Sequence, residues 1–252
     1  MGSPYKTVAF QTLGCKLNFT ETSTLAREFI SKGYAKVDNN EAADLYIINT
    51  CSVTDNANKK ARKAVRRALK KSPQAKIAVI GCYAQLNPDE IAQIPGVSIV
   101  VGAEKKMDLI RQIEVHKLNG SPKILNSNIN TLSNFIPSYS YGERTRSFLK
   151  VQDGCDYSCS FCTIPLARGK SRSCSISEVL TQAYEIAETE VREIVLTGVN
   201  IGDFGKYHNE SFIQLIKELD EVEGIDRYRI SSIEPNLITN EIIKFTDSSK
   251  KF

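Results

Sequence analysis

The sequence predicts an α/β fold. An N-terminal open parallel sheet with helices on both faces is expected, followed by part of a β/α barrel of the TIM type. Two observations carry this prediction. Apolar runs such as LYIIN at 45–49 and KIAVI at 76–80 have the length and composition of buried parallel strands. Helical patterns lie between these runs, and that alternation produces parallel sheets whose faces are covered by helices.

The first half of the chain is expected to contain strands at 7–13, 45–49, 76–80 and 98–101. A helix over 18–32 closes at Gly33, a residue type that commonly follows the last turn of a helix. A second helix over 54–72 stops at Pro73, because proline lacks the amide proton that a helix interior needs. Further helices are expected at 88–93 and 105–118.

The composition changes at 119–142, which is polar and rich in Asn and Ser with two prolines. This stretch is interpreted as a linker with one edge strand near 123–125. The linker separates an N-terminal domain (1–118) from a second domain (143–252). The second domain holds three β/α units, with strands at 144–153, 193–197 and 227–233 and helices at 177–190, 211–222 and from 239. Because a full barrel has eight such units, we expect only the N-terminal part of that domain here.

Composition narrows the classes of protein that fit. The chain has 252 residues, of which 41% are hydrophobic, enough to bury a core in one large or two modest domains. Its formal net charge of +4 is compatible with a nucleic-acid partner. No apolar segment approaches the ~18 residues that a membrane span needs. Seven cysteines without a secretory signal argue against a disulfide framework and favour a reducing cytoplasm, where thiols serve as ligands.

Three cysteines lie close together at spacing C-x3-C-x2-C, and we call Cys155, Cys159 and Cys162 the second triad. Closely grouped thiolates select zinc or iron–sulfur clusters. A structural zinc site normally takes a fourth Cys or His, which this stretch does not offer. Three thiolates on a four-iron cluster leave one iron open for a substrate or cofactor. The alternative at this point is a zinc knuckle or a chance grouping.

Three more cysteines, the first triad, are far apart in sequence but each follows a predicted strand; they are Cys15, Cys51 and Cys82. In a parallel sheet the carboxyl ends of the strands share one edge, where ligand sites of open α/β sheets gather. The first triad is therefore predicted to form a second cluster site. The alternative is three buried structural cysteines, which are common in protein cores.

These motifs resemble those of the radical S-adenosylmethionine (SAM) methylthiotransferases. Residues 14–18 (GCKLN), 49–54 (NTCSVT) and 81–85 (GCYAQ) are similar to the N-terminal domain of that family. Residues 151–165 with Arg168 and Gly169 resemble its radical-SAM segment, and 197–202 (TGVNIG) and 231–235 (SSIEP) resemble later signatures. Within the family, the GCKLN sequence at 14–18 and the TDNA sequence at 54–57 are most similar to those of the threonylcarbamoyladenosine tRNA enzymes of the MtaB type. The isopentenyladenosine tRNA enzymes and those that modify a ribosomal protein are the alternatives.

The resemblance implies two [4Fe-4S] clusters and SAM as cofactors. The second triad would hold the cluster whose open iron binds SAM, and one electron would cleave SAM to a 5′-deoxyadenosyl radical that abstracts hydrogen from C2 of the adenine. The first triad would hold an auxiliary cluster that presents sulfur, and a second SAM would supply the methyl group. The implied substrate is N6-threonylcarbamoyladenosine at position 37 of the tRNA anticodon loop, with a reductant protein or flavodoxin-like electron donor as a further partner.

Other residues receive weaker assignments. Tyr157 and Phe161 are expected to shape an adenine pocket, and Gly198 and Asn200 to reach the amino-acid moiety of SAM, with ordinary loop packing as the alternative. A polar set around the cluster loops suits the carboxylate and hydroxyl of a threonylcarbamoyl group; it comprises Lys16, Asn18, Asn56, Arg168 and Asn200. Cys174 is interpreted as a structural thiol.

Basic residues are concentrated on the helix expected at 54–72, which is predicted to contact tRNA phosphates; they are Lys59, Lys60, Arg62, Lys63, Arg66, Arg67, Lys70 and Lys71. A solvated helix face is the alternative. Further cations flank the second triad and could guide RNA or SAM, namely Arg144, Arg146, Arg168, Lys170 and Arg172. Two other classes of protein stay open, a two-cluster electron carrier and a zinc-stabilised RNA-binding module.

Overall fold

The computed structural model describes residues 5–51, 55–141 and 145–252, and it describes no side chains for 55–58. Two compact units make up the chain. The first comprises Met1–Leu132 and Cys159–Arg168, and the second comprises Ser133–Ser158 and Gly169–Phe252. The predicted roles of Thr54 as a helix cap, of the Asn56 side chain and of Arg144 lie outside the described residues.

The described strands of the first unit form a six-stranded parallel sheet in the order β2-β1-β3-β4-β5-β6. Their bounds are β1 Thr7–Thr12, β2 Ala35–Val37, β3 Leu45–Thr50, β4 Lys76–Gly81, β5 Val97–Val101 and β6 Lys123–Leu125. The predicted α/β class and parallel sheet are confirmed. The short strand β2 was not predicted, because three residues are too few to show the alternation of apolar and polar side chains that indicates a strand.

The strands alternate their side chains between two cores, one on each face of the sheet. Ile47 and Ile80 point to one face and pack with residues of helices α1 (Lys16–Ser31) and α5 (Leu109–His116). Ile48 and Val79 point to the other face, where they meet small side chains of helix α2 (Asp55–Lys71). Since both faces are covered, β3 is buried along its whole length, which explains its continuous apolar sequence. The predicted helices on both faces are confirmed.

The helices of the first unit are α1 Lys16–Ser31, α2 Asp55–Lys71, α3 Cys82–Leu86, α4 Pro88–Ala92, α5 Leu109–His116 and α6 Ile164–Arg168. Helix α1 begins two residues earlier than expected, with Cys15 at its N-cap. Helix α3 was not predicted, because its five residues are too few to show a helical period. The helix expected from residue 105 begins as a 3₁₀ turn over Lys106–Asp108.

The second unit contains a sheet in the order β12-β11-β8-β7, in which β8, β11 and β12 run parallel and β7 is antiparallel to β8. The bounds are β7 Ser138–Tyr139, β8 Ser147–Lys150, β9 Gln152–Asp153, β10 Arg172–Ser173, β11 Glu193–Thr197 and β12 Arg227–Ile230, with β9 and β10 forming a separate antiparallel pair. Helices α7 Ile176–Ala187, α8 Phe212–Asp220 and α9 Asn240–Ser248 complete the unit.

Two predicted strands of the second unit are shorter than expected. The strand expected at 144–153 is divided into β8 and β9. The strand expected at 227–233 ends at Ile230, because Ser232 takes a positive φ of 58°, which extended backbone does not allow. The outer edge of β12 meets the last residues of the chain: the Tyr228 amide donates to Lys251 O at 2.7 Å, and Phe252 stacks on the Tyr228 ring with centroids 5.0 Å apart.

Candidate metal centre

The first triad lies at the carboxyl edge of the six-stranded sheet. Strands β1, β3 and β4 are adjacent and parallel. Cys51 directly follows β3, Cys82 directly follows β4, and Cys15 lies three residues beyond the end of β1. The topology therefore brings to one edge three cysteines that are 36 and 31 residues apart in sequence.

Two glycines allow these loops to approach one another. A Cβ atom on Gly14, which has φ 149°, would lie 2.9 Å from Cys51 Cβ, closer than real Cβ atoms come. A Cβ atom on Gly81, which has φ 98°, would lie 2.3 Å from Thr50 O. Larger residues at either position would force the cysteine loops apart. This explains why glycine precedes Cys15 and Cys82.

Buried amides connect the same loops. The amide of Asn18 donates from Nδ2 to Thr50 O at 2.8 Å and to Asn49 Oδ1 at 3.2 Å, and its Oδ1 accepts from Cys15 Sγ at 3.5 Å. The Thr50 hydroxyl donates to Ile80 O at 2.6 Å, which links β3 to the strand that precedes Cys82. Asn18, Asn49 and Thr50 are fully buried, so these bonds are shielded from competing water.

Charged side chains are buried beside this edge within the first unit. Glu21 Oε1 accepts from Lys106 Nζ at 2.6 Å and from Arg168 Nη1 at 3.1 Å, and Arg168 Nη2 donates to Asn18 Oδ1 at 2.6 Å. Burial raises the pKa of the Cys82 thiol, while the positive charges of Arg168 and Lys106 act to lower it. Burial outweighs these two cations, so the pKa of Cys82 lies above its ordinary value.

The donor chemistry of the first triad fits a thiolate-ligated iron–sulfur cluster. All seven cysteines of the chain are free thiols, and the first triad combines soft ligands, close loops and nearby cations. Within residues 5–51, 55–141 and 145–252, no three His, Cys, Asp or Glu side chains are arranged to hold a metal ion. Both triads therefore remain predicted ligand sets.

The second triad lies on the loop that follows β9. Cys155 and Cys162 are half-buried, and Cys159 is exposed. In the second unit the Cys155 amide donates to Gly169 O at 3.0 Å. In the first unit the Cys162 amide donates to Cys159 O at 3.1 Å. The boundary between the two units falls inside this loop, after Ser158.

Gln152 supports the start of this loop and was not singled out from the sequence. Its fully buried amide donates from Nε2 to Gly154 O at 2.7 Å and to Ser171 Oγ at 3.0 Å. Its Oε1 accepts from the amides of Val199 at 2.8 Å and Asn200 at 2.9 Å. One side chain thus connects the approach to Cys155 with the loop after β11, and every hydrogen-bonding direction of its amide is used.

Asp156, inside the C-x3-C-x2-C motif, is also fixed by hydrogen bonds. Its carboxylate accepts from Ser171 N at 3.0 Å, Tyr207 Oη at 2.8 Å and Lys206 Nζ at 3.2 Å. Burial acts to raise the pKa of Asp156, but these hydrogen bonds outweigh burial and the pKa lies below its ordinary value. Asp156 therefore stays ionised and holds the loop to the segment after β11.

The residues predicted to contact SAM lie in different environments. Phe161 is 90% exposed, and Tyr157 is 37% exposed. Asn200 is buried, and its amide is used internally, donating to Asp203 Oδ2 at 3.3 Å and accepting from Glu234 N at 3.1 Å. A Cβ atom on Gly198 would lie 2.8 Å from Gln152 Oε1, so glycine is required for packing there. Their contacts with SAM stay predictions.

Two other sequence interpretations can be compared with the structure. Cys174 is buried in the core of the second unit, as expected for a structural thiol, and burial raises its pKa to about 12. Asn18 and Arg168 were grouped with possible substrate contacts, but both are buried and bonded to each other. They are therefore not available to a threonylcarbamoyl group in this arrangement, whereas Lys16 is exposed.

The basic helix α2 presents cations to solvent on one side and alanines to the core on the other. The exposed cations are Lys59, Lys60, Lys63, Arg66, Arg67 and Lys70. Arg62 differs, because its guanidinium pairs with Glu90 at 2.6 Å. Lys59, Lys63, Arg66 and Lys70 follow one another at spacings of three or four residues, which places them in a single stripe about 16 Å long.

Comparisons with known proteins place the chain in a family. The family model described as "Uncharacterized protein family UPF0004" matches residues 7–102, which include the whole first triad. The threonylcarbamoyladenosine tRNA methylthiotransferase MtaB of Bacillus subtilis is 43% identical over 255 residues, which cover 97% of this chain and 55% of that protein. The MtaB protein of Aquifex aeolicus is 37% identical, with 97% of this chain and 60% of that protein covered. These similarities support placing the chain in the MtaB-type methylthiotransferase family.

Methylthiotransferase-family relatives with other names also match. The tRNA-2-methylthio-N(6)-dimethylallyladenosine synthase of Koribacter versatilis is 31% identical, with 98% of this chain and 57% of that protein covered. The chain spans little more than half the length of these relatives.

A solved structure supports the fold of this methylthiotransferase-family chain. The radical S-adenosylmethionine methyltransferase TsrM from Kitasatospora setae, solved with cobalamin and a [4Fe-4S] cluster bound, superposes with a TM-score of 0.56. The match covers 87% of this chain and 52% of that chain at 11% sequence identity, so the likeness is one of fold. Within the described part of the chain, no helix has both the length and the apolar character that crossing a membrane requires.

Proposed function

We propose that this protein is a tRNA methylthiotransferase that converts N6-threonylcarbamoyladenosine at position 37 to its 2-methylthio derivative by radical SAM chemistry. The observation that carries the proposal is the meeting of three cysteine loops at the carboxyl edge of the parallel sheet, in a chain that also bears a C-x3-C-x2-C triad. Relatives that bear the MtaB name are 43% and 37% identical to the chain, which supports the choice of substrate.

The two triads take different roles in this proposal. Cys155, Cys159 and Cys162 hold one [4Fe-4S] cluster, and the first triad holds another. When bound, the two clusters supply radical generation from SAM and the sulfur that is inserted. The proposal keeps 1–118 as the domain of the first triad, 119–142 as the linker and 143–252 as the radical-SAM domain, although strand β6 within 119–142 pairs with β5 and residues 159–168 belong to the first compact unit.

The chain's own side chains position the loop of the second triad. Gln152 and Asp156 fix its first half by the hydrogen bonds described above, and both connect it to the segment after β11. Gly198 and Asn200 lie on that same segment, where they are expected to meet the amino-acid moiety of SAM. Holding these loops in place before SAM binds reduces the entropy lost on binding.

The stripe of cations on α2 is the surface proposed to meet the tRNA backbone. Its four members are solvent-exposed and separated by about one helical turn, so successive phosphates can be met along its length. A reductant protein or flavodoxin-like donor is the proposed source of electrons. The free state of all seven cysteines supports a reducing, cytoplasmic location.

Nucleoside analysis tests the substrate. The full-length protein is expressed in cells that lack their own methylthiotransferases, and digested tRNA is analysed by mass spectrometry. Methylthiolated threonylcarbamoyladenosine is expected, and a Cys51→Ala variant serves as the inactive control. Methylthiolated dimethylallyladenosine in its place would contradict the substrate and favour the activity named for the Koribacter relative, which is 31% identical.

Metal analysis tests the chemistry independently of the substrate. Anaerobic reconstitution followed by iron, sulfide and zinc assays should find iron and sulfide in near-equal amounts, as a [4Fe-4S] cluster requires. Zinc without sulfide would favour the zinc-stabilised RNA-binding module. Iron and sulfide without SAM cleavage by the full-length protein would favour an electron carrier.

A further inference from the structure

One asparagine lies between the loops of the first triad, and its amide must be oriented correctly to connect them. An asparagine amide presents an acceptor on one side and a donor on the other, and rotating it by half a turn exchanges the two. In the observed orientation Asn18 Nδ2 faces Thr50 O, next to Cys51, and Oδ1 faces Cys15 Sγ. In the reverse orientation Asn18 Oδ1 would face Thr50 O, and two acceptors would meet with no hydrogen between them.

The Arg168 guanidinium selects between these orientations. Arginine has donors and no acceptors, so the group that faces it must be the amide oxygen. Arg168 Nη2 donates to Asn18 Oδ1 at 2.6 Å, while Nη1 donates to Glu21 Oε1 at 3.1 Å. Asn18 and Glu21 are three residues apart on α1 and therefore share one face of that helix, which the two arms of a single guanidinium can bridge.

Burial makes this selection strong. Arg168 is 2% exposed, and Asn18 and Glu21 are 0% exposed, so water cannot replace a lost contact. Hydrogen bonds to charged groups in such surroundings are stronger than neutral ones. Arg168 also ends the segment that supplies Cys159 and Cys162 to the first unit. The segment bearing part of the second triad thus also provides the group that orients the amide of the first.

We infer that Asn18 and Arg168 are positioning residues of the first metal site: Arg168 fixes the amide of Asn18, and that amide connects the Cys15 and Cys51 loops. The inference rests on the proposed function, because it assigns residues that support one of its two clusters. Loss of a group that orients a metal ligand typically lowers metal affinity or activity by about 10- to 100-fold.

The test measures iron retention at the first triad alone. The parent protein carries alanine at all three positions of the second triad, so that reconstituted iron can bind only at the first. Arg168→Met removes the guanidinium while keeping a side chain of similar length. We expect it to speed iron loss to a chelator about tenfold, as for other groups that orient metal ligands, and to change the electron paramagnetic resonance spectrum of the reduced protein.

Two control variants separate positioning from general stability. Arg172→Met removes another arginine that is paired with a carboxylate, because its guanidinium donates to Asp153 in the second unit at 3.1 Å. Glu21→Gln weakens the ion pair with Arg168 and leaves the Arg168–Asn18 bond in place. Both should retain iron at a rate close to the parent's, whatever their effect on the melting temperature of the metal-free protein.

A second variant covers the case in which Arg168→Met does not fold. Asn18→Asp keeps an acceptor for Arg168 but removes the donor to Thr50 O, so it should lose iron faster in the same way. Iron loss unchanged in Arg168→Met and in Asn18→Asp, or accelerated equally by Glu21→Gln, would overturn the inference while the proposed function stands. A parent that binds no iron would overturn the proposed function and the inference together.

Discussion

The basic stripe of α2 offers a quantitative test of RNA binding. Substituting Lys63, Arg66 and Lys70 with glutamine removes three exposed positive charges of the stripe and leaves the alanine face of the helix intact. Glutamine propagates helices about as well as lysine and arginine, so helix stability should change little. Arg62 is kept, because its pairing with Glu90 makes its loss a change in packing as well as in charge.

The expected size of the effect follows from counterion release. Each lost phosphate contact lowers the slope of log K against log salt by about 0.7 for single strands and about 0.9 for duplexes, so three lost contacts lower it by roughly 2 to 3. Raising the salt from 50 to 200 mM weakens RNA binding by both proteins. With a slope change of that size, the fold-loss of affinity over this range is about 20- to 60-fold smaller for the variant than for the parent.

The assay is a fluorescence-anisotropy titration of an anticodon stem-loop at several salt concentrations, using the full-length protein. The matched control replaces three exposed lysines elsewhere in the first unit, Lys105, Lys117 and Lys123, with glutamine and so makes the same change in net charge. Equal changes of slope in the two triple variants would refute a localised contact, because non-specific attraction depends on total charge. An unchanged slope would leave α2 as a solvated face.

Three further predictions concern the cysteines and the sheet. Alanine substitution of either triad should remove about half of the reconstituted iron, and only loss of the second triad should abolish SAM cleavage by the full-length protein; loss of all iron from either folded variant would contradict two separate sites. Cys174→Ala should leave iron content unchanged and lower the free energy of unfolding by about 1 kcal/mol, measured by urea denaturation, because this thiol is buried in the core; lost iron would make it a ligand. The Asp44 carboxylate accepts from the amides of Lys6 and Thr7, which lowers its pKa, so its contribution to stability is full above its ordinary pKa of 3.8 and is lost as pH falls through the lowered value. Asp44→Asn should therefore be less stable than the parent near pH 7, and the gap should close on acidification; a gap independent of pH would contradict this.

The sequence predicted those features that depend on local pattern. The buried strands β3 and β4 are visible as apolar runs, and Pro73 marks the end of α2. The gathering of the first triad at one sheet edge followed from parallel topology alone, since three cysteines each follow a strand. Short elements such as α3 and β2 have too few residues for a period to emerge.

The buried polar groups could not be predicted in the same way. Glu21 and Lys106 are 85 residues apart, and each occurs in a stretch whose composition is also typical of a solvated surface. Gln152 gives no sign in the sequence that its amide connects two loops. Such pairings depend on which segments meet in the folded chain, and a single sequence carries no direct record of that. Arg168 was noticed as a cation beside the second triad, but its partner on α1 was not.

The division of the first unit between two stretches of sequence has a consequence for synthesis. Residues Met1–Leu132 leave the ribosome before Cys159–Arg168, so the sheet can form while the guanidinium that meets Glu21 is still untranslated. The Glu21–Arg168 contact closes a loop of 147 residues, and the Glu21–Lys106 contact closes one of 85. The entropic cost of closing the longer loop is only about 0.5 kcal/mol greater. The later synthesis of Arg168 therefore delays this contact more than it weakens it. Until Arg168 is made, the newly formed sheet buries the Glu21 carboxylate with Lys106 but without its second cation. A chain cut at residue 132 would remain in that state permanently.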